Sequence, residues 1–292
     1  MAFNIMGAAE APSAGISRGE IKSIEETVSA VAHALEQVER VTGVPVEHAW
    51  VGITGTHVIS QKGRGVVSVA KSDGEISDED VLRVIDAAKR SATPLSYEVL
   101  HVLPQTYTVD GQTGIRDPVG MTGMKLEAET NIIHGLSSHI QNISRAIYRM
   151  GLDVDGVIST AVATGDAVTN MKQKELGVAV ATIGGATTSL VVFEGGQPIY
   201  SVAIPIGSDH ITNDLALGLR IPIETAERIK IDHGSAVAKA VPRKDFIEVN
   251  LGDSTESVSR YYAAQIIEAR TAEILEHIDL SLNEIGRRGA LP

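Results

Sequence analysis

The stretch that most limits what this chain can fold into runs from Gly177 to Gly207. Apolar, β-branched segments are broken there by two double-glycine turns, Gly184-Gly185 and Gly195-Gly196. This spacing reads as a three-strand meander that ends at Ile204-Pro205-Ile206-Gly207 and runs into a helix start. Two adjacent glycines let the backbone turn tightly and bring N–H groups close to an anion. The hydroxyls of Thr187 and Thr188 can add donors, so the turn fits a cradle for phosphate oxygens. Taken alone, it fits a plain Gly-Gly hairpin more simply. The run from Gly177 to Phe193 is essentially charge-free, but glycine interrupts it and threonine is frequent, which suits buried strands better than a membrane span.

Around this meander the chain mixes helical and strand periods. Ile24, Val28, Val31, Leu35, Val38 and Val41 recur every three or four residues and stop at Gly43, the mark of an amphipathic helix. A strand follows at 49–54. Gly63 and Gly65 are expected to bracket a turn before a strand at 66–70. Ser77 caps a helix whose buried stripe is Val81, Val84, Ile85 and Ala88; the acidic run Asp73, Glu75, Asp78, Glu79 and Asp80 is expected to be its solvated start. A strand from Tyr97 is expected to break at Pro104, and turn-rich sequence leads to a long alternating strand from Met124 to His134. Beyond it come a helix from Ile140 closed by Gly151, a short strand at 154–158 and an Ala-rich helical segment at 160–170. After the meander, helices are expected at 211–219, 224–232 and from about Ser257 to Leu280. Strands joined by crossover helices define α/β layers.

At 292 residues the chain exceeds the size at which single domains usually divide. A net charge of −12 argues against a nucleic-acid footprint and would repel an anionic bilayer unless a local anchor intervened. There is no cysteine, hence no disulfide and no thiolate metal site. The first fifteen residues have neither a basic start nor a long apolar core, unlike a signal peptide. The expected setting is the cytoplasm.

On the helix at 225–234, Glu227 and Lys230 share a face. They fit contacts to a ribose and a purine, and equally a solvent-exposed ion pair of little weight. On the last long helix, Ile266, Ile267, Ile274 and Ile278 suit a buried or groove-lining face. Arg260 and Arg270 punctuate its polar side, either to receive an acidic peptide or to pair with Glu256, Glu268 or Glu273. The histidines show no metal-ligand spacing along the chain, and no metal or catalytic residue is assigned.

Several segments go further than these general patterns. LHVLPQTYTVDGQTGIRDPVGMTGMKLE (100–127), VGITGTHVIS (51–60), EISDEDVLRVIDAA (75–88), KELGVAV (174–180), IPIGSDHITNDLALGL (204–219) and AERIK (226–230) closely resemble the FtsA family, in family order across nearly the whole chain. The resemblance implies an actin-like (ribonuclease H-like) α/β fold with a small inserted α+β domain. It places the first part of lobe 1 at 1–52, the insert at 53–133, the return to lobe 1 at 134–175 and lobe 2 at 176–292. It makes Gly184, Gly185, Thr187 and Thr188 the second phosphate loop for ATP with Mg2+, and puts Glu227 and Lys230 at the adenosine. It implies a non-enzymatic scaffold that self-associates into actin-like protofilaments. Such a scaffold docks the C-terminal peptide of FtsZ, for which Arg260 and Arg270 are candidates, and reaches the inner face of the cell membrane through a C-terminal helix not in this sequence. Two features depart from the family pattern DIGGGTTD: Thr182 and Ser189 stand where it has Asp, and Ala186 where it has the third glycine. Thr182 brings no charge to orient a magnesium-bound water, so hydrolysis is expected to be negligible. The chain starts after the expected first phosphate loop and stops before the last adenosine motif, so it is read as part of a longer protein. A pilus-assembly scaffold of the same fold, or a sugar kinase or chaperone ATPase, is the alternative. A kinase would need a carboxylate base and an acidic magnesium site that these motifs do not supply.

Overall fold

The computed structural model describes residues 4–251 and 254–292; residues 1–3 of the N-terminal stretch discussed above lie outside it. Two compact units are present. One comprises Met1–Val180 and Leu190–Ala203 with Pro292, the other Ala181–Ser189 and Ile204–Leu291.

The first unit begins with a hairpin, β1 (Ile16–Ser17) and β2 (Glu20–Ile21), followed by helix α1 (Ile24–Thr42). Ser23 caps α1, and Gly43 ends it in the left-handed conformation with its N–H bonded to Glu39 O. Then come β3 (His48–Ile53), β4 (Val58–Ser68), α2 (Asp78–Ala92), β5 (Tyr97–Val109), β6 (Gln112–Ile115) and β7 (Lys125–Leu136). Helix α3 (Ser137–Tyr148), β8 (Asp153–Ser159), α4 (Thr160–Val168) and α5 (Met171–Leu176) follow. β3 and β8 pair in parallel, Val51 opposite Val157. A parallel pair needs a crossover, and this one contains a whole antiparallel sheet of order β4-β7-β5-β6. That sheet and α2 enclose their own core of Ile76, Val84, Tyr107, Val109, Leu126 and Ala128. A second core joins Val51, Ile53, Ile133, Ile140 and Ile147 to Val191 and Phe193.

Four expectations change here, each for a physical reason. Gly63 and Gly65 do not bracket a turn; they lie inside β4, which runs unbroken opposite β7. Their use is space, because a Cβ on Gly65 would come 2.7 Å from Ala88 N and one on Gly63 2.9 Å from Ala88 O, so α2 lies directly on the strand. Pro104 does not end β5. It sits at a register shift opposite Thr130, beyond the reach of the short β6, an irregular and one-sided place in the ladder of the kind that tolerates proline. β7 does not alternate, since as an inner strand it is buried on both faces over most of its length. The helical segment expected at 160–170 forms as α4, and the side chain of Asn170 caps the separate α5 that follows.

The fourth concerns the acidic run, which is not uniformly solvated. Asp80 is fully buried and accepts from Ser77 N, Ser77 Oγ and Ala70 N at 2.8–3.1 Å while pairing with Arg83. Burial works against its charge, but these bonds outweigh it and hold the carboxyl well below the usual range.

The second unit takes its ends of the meander β9 (Val178–Ile183), β10 (Thr188–Glu194) and β11 (Gln197–Ile204), ordered β11-β10-β9 as the glycine spacing implies. It continues with α6 (Ser208–Leu219), α7 (Ile223–His233), the hairpin β12 (Phe246–Leu251) and β13 (Ser254–Ser259), and α8 (Arg260–Glu284). Its core contains Leu215, Ile221, Ile229, Ile247, Val258 and Ile267. The last helix begins at Arg260 rather than Ser257. Ser257 pairs with Glu248 in the hairpin, Val258 enters the core, and Ser259 caps the helix.

Because the Asp80 pKa is depressed in the fold, its contribution is present above the unfolded value near 3.8 and is lost as pH falls. Asp80→Asn is therefore expected to cost about 2 kcal/mol at neutral pH. Urea unfolding as a function of pH should show that deficit narrowing below about pH 4.

Candidate functional site

The glycine turn between β9 and β10 closes through Gly184 N–H to Thr187 O at 2.9 Å. Its carbonyls accept from the start of α6: Ser208 N–H to Gly184 O and Asp209 N–H to Gly185 O, both 2.8 Å. Helix starts have unpaired N–H groups, and here the turn satisfies two of them. A Cβ on Gly185 would lie 2.8 Å from both carboxylate oxygens of Asp209, and one on Gly207 would collide with the Gly184 and Gly185 carbonyls. The hydroxyl of Thr188, fully buried, donates to Ile206 O at 2.8 Å. Thr187 is buried as well, while Thr182 is exposed. Of the four turn residues singled out from sequence, the two glycines shape the surface and Thr188 ties β10 to the segment before α6.

Glu227 and Lys230 are not an exposed pair. Lys230 Nζ, with its side chain only 15% exposed, reaches Glu227 Oε2 at 2.7 Å, Thr212 Oγ1 at 2.8 Å and Ser208 O at 3.4 Å. Thr212 Oγ1 also donates to Glu227. An ammonium has three protons, so Lys230 is fully engaged in joining α7 to α6. Burial raises the Glu227 carboxyl, but Lys230 and Thr212 more than compensate and hold it below the usual range. Glu227, less covered than Lys230, faces a cavity of about 570 Å3 lined by Asp209, Thr212, Asn213, Ile223, Glu224 and Glu227. That is the size of a small-molecule site. Asp209, Asn213 and Glu224 escaped the sequence reading. The signal was an acid two residues after Gly207, where a helix dipole favours negative charge.

Both singled-out arginines of α8 have acidic partners. Arg270 forms a two-pronged pair with Asp214, Nε–Oδ2 2.6 Å and Nη2–Oδ1 3.1 Å, and meets Glu273 at 2.7 Å. Arg260 pairs with Asp245 at 2.9 Å and donates to His233 O, its side chain 35% exposed. Ile267 and Ile274 are buried in the core rather than lining a groove.

Residues 55–134 match the sequence profile of the SHS2 domain inserted in FtsA, and residues 179–285 match that of cell division protein FtsA. The cell division protein FtsA of Pseudomonas aeruginosa is 35% identical over 292 residues, covering 99% of this chain and 70% of its own length. That of Bacillus subtilis is 36% identical over 286 residues, with coverages of 97% and 65%. The solved PilM–PilN type IV pilus biogenesis complex aligns with a TM-score of 0.60 at 13% identity, over 94% of this chain and 68% of that one, a likeness of fold. The fold is that of an actin-like protein carrying a small inserted domain. Within that class, the chain belongs to the FtsA family of cell division proteins. It spans 65–70% of the length of these two relatives. Among the described residues, no helix is long and apolar enough to cross a membrane.

Because Lys230 joins two helices, Lys230→Met should destabilise the chain by about 2 kcal/mol, most of it from leaving Glu227 and Ser208 O without their cation. Glu227→Gln, which keeps a hydrogen-bonding group, should cost less. Chemical denaturation of both single variants and the double variant measures the coupling.

Proposed function

We propose that this chain is the nucleotide-binding and partner-docking part of a non-enzymatic division scaffold. It binds ATP, associates with further copies into actin-like protofilaments, and recruits FtsZ through the C-terminal peptide of that protein. The observation that carries the nucleotide reading is the juxtaposition of the glycine turn with the Asp209–Thr212–Glu227 cavity in one compact unit. The lining suits a nucleoside: Glu227 can accept from ribose hydroxyls, Asn213 offers an amide to the base, and Ile223 supplies an apolar wall. The leading N–H groups of α6 are occupied, so phosphate oxygens would meet the turn's own amides.

The carboxylate of Asp209 beside that turn repels a polyphosphate unless a divalent cation stands between them. Asp209 is therefore the residue proposed to hold Mg2+, the position left without charge at Thr182. When bound, the cation would neutralise phosphate charge. No group of the cavity is proposed as a base for attacking water, and turnover is proposed to be negligible. Docking is assigned to the α8 side, with Arg260, the more exposed of the two arginines, meeting acidic residues of the peptide while Arg270 serves as a strut to Asp214. Peripheral contact with the cytoplasmic membrane belongs to the same proposed role, and self-association is assigned to actin-like stacking that includes the insert.

Titration with a fluorescent ATP analogue tests the first part. Binding should strengthen with Mg2+, and Asp209→Asn should remove most of that strengthening. Equal affinity with and without Mg2+ would sink the assignment of Asp209, and robust phosphate release would sink the non-enzymatic role. For the second part, a labelled FtsZ tail peptide should bind Arg260→Ala about fivefold more weakly at low salt, the weight of one partly exposed charge pair. Unchanged binding would take Arg260 out of the dock.

A further inference from the structure

Linear spacing discloses no metal-ligand set among the histidines, but the fold assembles one. Among the described residues, Glu20, His57 and His139 each bring one ligating atom within 4.8 Å of the other two. They come from three separate segments. Glu20 lies on β2, His57 in the turn between β3 and β4, and His139 in the first turn of α3. The rings of His57 and His139 stack at 4.4 Å between centroids and 22° between planes. His57 is 6% exposed, and its Nδ1 is buried without a hydrogen-bond partner. A buried imidazole nitrogen with nothing to bond is a costly arrangement that asks for an explanation.

We infer that Glu20, His57 and His139 form a binding site for a divalent zinc-class metal ion. The donor set, two imidazoles and a carboxylate, is one that zinc takes with a fourth position left to water. Hard oxygen-seeking cations such as Mg2+ and Ca2+ are poorly matched to it. Bonds of about 2.0–2.1 Å place tetrahedral donors roughly 3.4 Å apart, so the present spacing closes with side-chain movements of about 1 Å. The two half-covered residues, Glu20 and His139, are free to make those movements, the ring of His139 by turning off the stack, while His57 is held in place. Without metal, Glu20 accepts from Lys22 Nζ at 2.6 Å; Lys22, well exposed, can keep the second carboxylate oxygen or swing into solvent.

The location gives the site a purpose. His57 is just inside the 55–134 insert and His139 just after it, and Leu136 N–H already bonds His57 O at 3.1 Å. Gly19, in the hairpin turn before Glu20, packs directly on Thr54 where β3 leads to the insert. A metal on these three side chains would clip together the strand leaving the lobe, the helix returning to it and the N-terminal hairpin. It would set how stiffly the insert is held.

The test uses the whole chain, stripped with a chelator and titrated with Zn2+ and, for its electronic spectrum, Co2+. Wild type should bind one equivalent, resist competition by excess Mg2+, and melt at a higher temperature with Zn2+ than without. His139→Gln and Glu20→Gln, both at half-covered positions that tolerate substitution, should each bind at least about tenfold more weakly and lose the thermal shift. If His57→Phe fails to fold, these two variants still decide the matter. Absence of a stoichiometric complex in wild type, or affinities in both variants equal to wild type, would overturn the site.

Discussion

Two backbone hydrogen bonds organise the second unit: Ser208 N–H to Gly184 O and Asp209 N–H to Gly185 O. They fix where α6 begins, and the start of a helix fixes its phase. Asp209, Thr212 and Asn213, spaced three and four apart, then share a face. Thr212 in turn meets Glu227 and Lys230 from α7, so the cavity wall is set by the register of two carbonyls. The glycines are required here by proximity rather than by unusual torsion angles. Neither Gly184, Gly185 nor Gly207 has a positive φ, yet a side chain on Gly185 or Gly207 would strike the opposite segment.

That distinction explains what could be read from the sequence. The meander was legible because glycine pairs and β-branched runs report local geometry, and α1 was legible because its apolar period and Gly43 stop are both local signals. Gly63, Gly65 and Pro104 misled for one shared reason. Each residue type usually marks a break, but here each answers to a neighbour remote in sequence: α2 lying on β4, or the edge beyond β6. Asp80 likewise looks solvated in a run of acids, and only its enclosure by Ser77, Ala70 and Arg83 makes it a buried cap. The segments resembling FtsA were legible as family sequence, and relatives at 35–36% identity place the chain there. The positions of Asp209, Asn213 and Glu224 around a cavity were not legible, because they depend on how α6 and α7 pack.

Charge shows the same dependence on context. The chain carries 25 basic and 37 acidic residues, and the basic groups at the candidate sites are already engaged. Lys230 serves Glu227, Thr212 and Ser208; Arg270 serves Asp214 and Glu273; Arg260 serves Asp245. A cation with three partners in the folded state is a structural strut first, whatever its position on a helical wheel suggests. Glu227 differs, since Lys230 holds it charged from one side while its other side faces the cavity.

These pairings shape how an acidic peptide can be recognised under the proposed role. An arginine that must give up Asp245 to accept a peptide carboxylate exchanges one ion pair for another, and the net gain from such an exchange at a partly exposed site is small. Charge then contributes orientation and association rate, and affinity has to come from apolar contact. The predicted stripe of Ile267 and Ile274 cannot supply it, because both are buried in the unit's own core. What α8 leaves uncovered instead is Tyr262, Leu275 and Leu280, each about half exposed. Under the proposed role, apolar contact then falls to exposed side chains such as Tyr262 and Leu280, which eighteen residues of helical period place on one face of α8, rather than to the isoleucine stripe, and Arg260 at the helix start contributes register.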